Sequence, residues 1–397
     1  MADTIRSTDD LLNASTGLFK DNTAGDISAQ DLRDFVLSTY RPQSVNCCAR
    51  LSLDPTNRVV PGITIVAPDS TDTSADTITV TAGHGYCSGT MVTVSATGGG
   101  LTAGTTYYVN AVSTTALSFH TTLAAAMAGT SKVDLTASIT AQIQYLGIAS
   151  STLYLHPVNG NSIGLYDGTS WKIHVVNSQS LALSGLTADT LYDVFAYDNA
   201  GTLTLELTAW TSSTARATAI DFQDGVLVKS GAATRRYLGT IRAISTTDTE
   251  ASLYKQFLWN HYNQRILHAV RSAGSSSHTY NSSTYRNYNN SATSTLVEWV
   301  IGSISAMVMG SYYAIGYQSV AGDQRMRLTM YHGGLSGTIR FNVADELLDS
   351  STSSTSRTQV VQQRVCPVGY WAAIVMEAAN GGTLSVDFGQ SFVAFMG

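Results

Sequence analysis

Residues 77–96 read TITVTAGHGYCSGTMVTVSA, and the spacing of apolar positions on either side of the glycines decides the fold class. Ile78 and Val80 alternate with Thr77, Thr79 and Thr81, and Val92 and Val94 repeat the pattern after the glycines. A period of two places alternate side chains on one face of a strand, and β-branched Thr, Val and Ile suit a pleated, half-buried surface. TYYVNAV continues the series with Tyr107, Val109 and Ala111, and glycine-containing turns bound each run as an antiparallel meander requires.

The connection GHGYCSG also raises a chemical alternative. His84 and Cys87 stand three apart, with His120 as a third candidate ligand for zinc. A structural zinc wants about four ligands, often in close pairs, and only one loose pair is present. Gly83, Gly85 and Gly89 supply the positive φ of tight turns, so the segment reads as a turn that carries these side chains, and no metal or other cofactor is expected.

The composition extends the β reading to the whole chain. Only 13% of the 397 residues are charged, against roughly 25% in an average soluble domain. A length of 397 residues suggests several modules, at about 100 to 200 residues each. With Lys+Arg 22 against Asp+Glu 28, the net charge of -6 offers no broad positive field for nucleic acid. Cys47, Cys48, Cys87 and Cys366 are too few for a disulfide framework. MADTIRSTDDLL has no export signal, and no apolar run of about 18 residues occurs, so a soluble protein made in the cytoplasm without membrane insertion is expected.

Residues 1–55 differ in texture. In GDISAQDLRDFVLSTY, Ser28 and Asp31 form a capping box, and Leu32, Phe35 and Val36 then share one helical face. A shorter helix is expected over 8–18. So small a helix pair buries too little surface to stand alone, and its apolar stripe caps the next domain or anchors the chain to a partner.

Further along, LTLELTAW places Leu203, Leu205 and Leu207 on one face, and the turn Asn199-Ala200-Gly201 before it predicts a hairpin over 191–210. VLVKSG adds a strand with Val226 and Val228. TEASLYKQFLWNHYNQ reads as a helix with Leu253, Phe257 and Leu258 on one stripe. WVIGSISAMVMG, RMRLTMYHG, TIRFNVAD, YWAAIVMEA and TLSVDFG then return to strands, at a spacing that indicates a sandwich or jelly roll. The expected architecture is mainly β: a helical anchoring segment at 1–55, small β modules at 56–149 and 150–245, and a helix plus C-terminal sandwich at 246–397.

Signatures of chemistry are sparse. No Gly-x-Ser-x-Gly elbow, phosphate loop or His-Glu-x-x-His occurs. Asp193 and Asp198 are the nearest approach to a glycosidase carboxylate pair, though Asp beside a turn commonly bonds local backbone amides. The segment HTYNSSTYRNYNNSA, 278–292, is the best candidate for recognition. Tyr280, Tyr285 and Tyr288 offer flat faces with hydroxyl tips, and Asn281, Asn287 and Asn289 offer donors and acceptors, a combination that suits sugars. An exposed strand and polar turn would have the same composition.

Several stretches resemble known proteins. LFKDNTAGDISAQDLRDFVLS is similar to the N-terminal segment of tailed-bacteriophage virion proteins. ITVTAGHGYCSGTMVTVSATGGGLTAGTTYYVNAVSTTALSFHTTLAAAMAG resembles a β-module of phage tail, fibre and decoration proteins. IGLYDGTSWK, LYDVFAYDNAGTLTLELTAWTSSTARATAI and DGVLVKSGAATRRYLGTIRA are similar to a third block of that set, usually followed by a segment like FLWNHYNQ. The resemblance spans the chain to about residue 290 and is specific for virion origin. It implies a structural protein without catalytic residues, a homotrimer anchored to capsid, neck or tail proteins through 1–55 and displayed at its other end, where it would meet a host-surface glycan. A capsid decoration protein is the alternative, followed by a glycan-degrading tailspike.

Overall fold

The computed structural model describes residues 47–56, 65–273, 278–303, 305–318, 323–347, 356–380 and 384–397. Both helices expected near the start lie outside the described residues, and with them the anchor candidates Leu32, Phe35 and Val36. The described chain is mainly β and is organised in multiple sheets.

The alternation that opened the reading is realised in the first module, where Ile78, Val92, Val94 and Val109 are buried in one core with Tyr107, Leu117 and Phe119. Its strand order departs from a simple meander. Thr90–Val94 pairs with Tyr107–Ala111, which pairs with Ala116–His120, but Thr77–Thr79 lies beyond Ala116–His120. The loop GHGYCSG therefore crosses the end of the module to join strands that are not neighbours. Local alternation specifies which face is buried and leaves the partner to long-range packing.

This module also contains an unexpected helix, Leu123–Ala128. Thr122 caps it, with Oγ1 accepting from the Ala125 N–H at 3.2 Å, and Gly129 ends it at φ 66. Thr before an alanine run and Gly after it is an ordinary helix start and stop.

In the middle of the chain, Leu191–Asn199 and Thr202–Ser212 form the expected hairpin, in register from Tyr192 opposite Ala209 to Asn199 opposite Thr202. Ala200 at φ 50 and Gly201 at φ 91 make its two-residue turn, the geometry that matches strand twist. This hairpin belongs to a seven-stranded sheet whose other members include Val226–Lys229 and Ala232–Arg242. A smaller sheet of Ala49–Ser52, Thr152–Pro157 and Gln179–Ala182 packs over it, with Leu51, Leu155, Val194 and Ile241 in the shared core.

The helix expected at TEASLYKQFLWNHYNQ is absent; Thr249–Ser252, Lys255–Gln256 and Leu258–Asn260 are strands. Phe257 and Trp259 enter one core and Leu258 enters another. Only two-residue alternation sends neighbours to opposite sides in this way, and burial on both sides conceals it from a one-sided pattern.

These short strands also join the modules. Thr249–Ser252 pairs with Ile143–Ser150, and Lys255–Gln256 runs parallel to Val297–Ile301. A single fourteen-stranded sheet thus extends from Ser70–Asp72 to Thr338–Leu347. Against its C-terminal part packs a five-stranded sheet of Ile266–Ser272, His278–Tyr280, Ala306–Gln318, Ser356–Cys366 and Leu384–Met396. Trp299, Trp371 and Leu328 from one sheet meet Val308, Tyr312 and Phe395 from the other, a sandwich core.

Candidate recognition surface

The candidate zinc ligands are each committed elsewhere. His84 is buried, its Nε2 lying 2.7 Å from the Ser113 carbonyl and its Nδ1 accepting from the Tyr86 N–H at 3.0 Å, so the ring is the Nε2–H tautomer. Cys87 Sγ sits 3.7 Å from Thr90 Oγ1. His120 binds the Thr130 carbonyl through Nδ1 at 2.7 Å and Ser118 Oγ through Nε2 at 3.0 Å. Among the described residues no three His, Cys, Asp or Glu side chains gather to hold a metal ion, and no disulfide joins the cysteines.

The two aspartates do not form a pair. Asp193 and Asp198 lie on one strand, and five residues of extended chain span about 16 Å, beyond the ~5–10 Å of glycosidase carboxylates. Asp198 Oδ1 instead accepts the Gly201 N–H at 2.5 Å across the hairpin turn. Asp193 is buried and held by Arg216, with Thr240 Oγ1 donating at 2.7 Å. Burial pushes its carboxyl upward, and the Arg216 guanidinium opposes that.

The Tyr- and Asn-rich segment bridges the two sheets of the sandwich. Its first part, His278–Tyr280, pairs with the strand Leu384–Met396, and Arg286–Asn287 pairs with Gly369–Asn380. The pin that fastens it is Glu377, a fully buried carboxylate that sequence reasoning missed. Glu377 Oε2 lies 2.6 Å from His278 Nε2, while Oε1 accepts from Arg286 Nε at 2.7 Å and from the Asn289 N–H at 3.2 Å. One acid from a neighbouring strand thereby fixes both ends of the segment. The available signal was a lone Glu inside the apolar run YWAAIVMEA, since an acid buried at that depth needs partners.

The candidate residues then divide. Tyr288 is fully buried, edge-on to His278 with ring centroids 4.7 Å apart. It packs so closely on Gly389 that a Cβ there would lie 2.6 Å from the ring. Its expected surface role is therefore corrected: Tyr288 is a core residue, drawn inward by the 3-10 turn Tyr288–Asn290. Tyr280 and Tyr285 are half-buried, and a guanidinium covers each ring, Arg286 at 3.9 Å and Arg327 at 3.6 Å from the ring centres. Asn281 and Asn289 are exposed, Asn287 is half-buried, and Asn289 adopts left-handed backbone at φ 49. The surface is a ridge of amides and arginine-covered tyrosine rings, whose exposed donors and acceptors suit hydrogen bonding more than open stacking.

No family model matches the chain, and no curated protein matches it. Among solved structures it is similar to the protein of T=1 particles derived from infectious bursal virus, at 11% identity and TM-score 0.25, over 60% of this chain and 66% of that one. The VP2 subviral particle of infectious bursal disease virus is similar at 11% identity and TM-score 0.23, over 86% and 76% of the two chains. The insecticidal delta-endotoxin Cry8Ea1 of Bacillus thuringiensis is similar at 9% and 0.21, over 62% and 48%. The chain thus spans just under two thirds of the first of these proteins and about half of the endotoxin. Viral capsid proteins are among the structural neighbours, at similarities too low to carry a shared role, and no tailed-phage family is shown.

Proposed function

We propose that the chain is a non-enzymatic structural protein of a bacteriophage particle: a homotrimeric tail or head fibre, attached through residues 1–55, that displays its C-terminal β domain for host-surface binding. The observation that carries this reading is the order of segments, an amphipathic stripe at Leu32, Phe35 and Val36, then β modules, then a Tyr- and Asn-rich end domain. Two features of the fold support it. One sheet runs through the first module, the 249–256 strands and the sandwich, a ladder that resists bending. A fully buried Glu377 bonds His278, Arg286 and the Asn289 N–H, and a surface fastened in this way loses less entropy on binding.

The partners in this reading are a second and third copy, capsid, neck or tail proteins at residues 1–55, and a host-surface glycan at residues 278–290. The protein is made in the host cytoplasm and resides in the virion. The test is adsorption of purified protein to host cells and to isolated surface polysaccharide. Saturable adsorption that weakens at least tenfold in Asn281→Ala/Asn289→Ala is the expected result. Failure to adsorb, combined with heat-sensitive heads in a deletion mutant, would replace the fibre with a capsid decoration protein. Release of reducing sugar would contradict the non-enzymatic assignment.

A further inference from the structure

A cavity of about 450 Å³ lies where three sheets meet. Its wall takes Arg50 from the strand Ala49–Ser52, Tyr145 from Ile143–Ser150, and Arg265 from the residue before Ile266–Ser272. On the first of these strands Ala49 and Leu51 enter the shared core, so alternation turns Arg50 and Ser52 to the other side, where both line the cavity. Arg50 is only 9% exposed, whereas Arg265 reaches solvent.

Most polar groups on this wall are already committed. Asn260 exchanges two hydrogen bonds with the Leu51 backbone, Gln256 Nε2 donates to the Ser252 and His268 carbonyls, and Ser52 Oγ donates to the Asp54 carbonyl. His156, opposite Arg50 in the register, turns its Nε2 to the Asp54 carbonyl at 2.8 Å. Asp54, the acidic side chain of the lining, accepts from the Thr56 N–H and Oγ1, each at 2.7 Å, and pairs with neither arginine. Three donors remain open. Among the described residues, the guanidinium groups of Arg50 and Arg265 and the hydroxyl of Tyr145 have no hydrogen-bond or ion-pair partner. Burial, with the Arg265 cation beside it, lowers Arg50 to about 10, so it keeps its charge at neutral pH. Burial pushes Tyr145 up to about 12, which leaves its hydroxyl protonated and able to donate.

We propose that this cavity binds a small organic molecule bearing a carboxylate or phosphate, with the anion held between Arg50, Arg265 and the Tyr145 hydroxyl. A negatively charged group that only accepts hydrogen bonds is the partner that three open donors, two of them cationic, lack. A buried guanidinium without such a partner is costly, so an anion gains by entering. Size sets the rest of the ligand. The volume falls within the range of small-molecule sites, roughly 300 to 1,000 Å³, and is many times the roughly 30 Å³ share of one water, so a bare ion would leave most of it empty. Leu53, Ile148 and Leu267, with the Tyr86 and Tyr145 rings stacked 6.2 Å apart, supply an apolar wall for the remainder of the molecule. Such a site stands whether or not the chain belongs to a particle.

The experiment is thermal unfolding of the full chain titrated with glucose 6-phosphate, with glucuronate and with inorganic phosphate, each against sodium chloride at matched ionic strength. It is run on the unaltered protein, on Arg50→Met, on Tyr145→Phe, and on Lys172→Met, which removes an exposed cation from another sheet. A ligand that binds only the folded chain raises the melting temperature as its concentration grows. The expected result is a saturable rise with at least one of the two sugar derivatives, weaker with inorganic phosphate and unchanged in Lys172→Met. Apparent affinity falls about tenfold or more in Arg50→Met and about threefold in Tyr145→Phe, which removes one hydroxyl and keeps the ring. A response to glucuronate alone assigns the anion as a carboxylate, and a response to glucose 6-phosphate alone assigns it as a phosphate. No rise above sodium chloride with either sugar derivative overturns the site. So does a rise undiminished in Arg50→Met, or in Tyr145→Phe where that variant alone folds. Inorganic phosphate that matches the sugar derivatives overturns the organic ligand.

Discussion

Arg216 grips the Asp193 carboxylate with two hydrogen bonds, 2.6 Å from Nε to Oδ2 and 3.1 Å from Nη2 to Oδ1. The same guanidinium donates to the Gly302 carbonyl and lies 4.3 Å from the Trp210 ring centre, so one side chain ties the seven-stranded sheet to the C-terminal sandwich. Arg216→Met would leave a buried carboxylate unpaired, and a loss of about 3 to 5 kcal/mol is expected. Urea unfolding measures it. Adding Asp193→Asn should restore part of the loss, and a double variant as unstable as the single one would show that the charge pair is not the cause.

Glu377 carries the same kind of dependence into the candidate surface. Glu377→Gln keeps the shape but removes the anion facing His278 and Arg286, and a loss of about 2 to 4 kcal/mol follows. Hydrogen exchange should rise first at residues 278–290, ahead of global unfolding. Unchanged protection there would remove Glu377 from its role as the fastening group.

His261 predicts a pH dependence. Burial, assisted by nearby Arg236, lowers its pKa to about 4 from the ordinary 6.5. Between those values the unfolded chain binds a proton that the folded chain refuses, so stability rises with pH across the window and is lost as pH falls from about 6.5 toward 4. The loss is at most about 3 kcal/mol. His261→Gln retains a partner for Ser303 Oγ, now 2.8 Å from Nδ1, and should flatten the slope in this window. An unaltered slope would assign it to other groups.

A fourth expectation concerns the cavity of about 450 Å³ lined by Arg50, Tyr86, Tyr145, Asn260 and Arg265. Burial lowers Arg50 to about 10, and the neighbouring Arg265 cation adds to the effect. Arg50→Met removes this desolvated like-charge contact, and a gain of about 1 kcal/mol in stability at neutral pH is expected. A loss in thermal unfolding would mean that the Arg50 stem contributes more by packing than its charge costs.

The β class was legible because apolar residues alternate with polar ones where one face is wet, Ile and Val with Thr at residues 77–81 and Leu with Thr and Glu at 202–207. What escaped was burial on both sides and pairing at long range. The segment of Leu253, Phe257 and Leu258 looked helical because consecutive apolar residues are buried there, Phe257 and Trp259 in one core and Leu258 in another. Tyr288 looked like part of a surface because its neighbours are polar, yet its ring fills the space that Gly389 leaves open. The Glu377 pin joins residues about 90 positions apart, a distance over which no local pattern carries information.

The central claim, a particle component attached by its N-terminal segment, is tested most directly by counting copies of the protein on purified particles that encode a chain lacking residues 1–46, a deletion that spares the buried strand Ala49–Ser52. The account predicts particles without the protein while a folded oligomer accumulates in the lysate. Particles that carry the shortened chain at the normal number would contradict it.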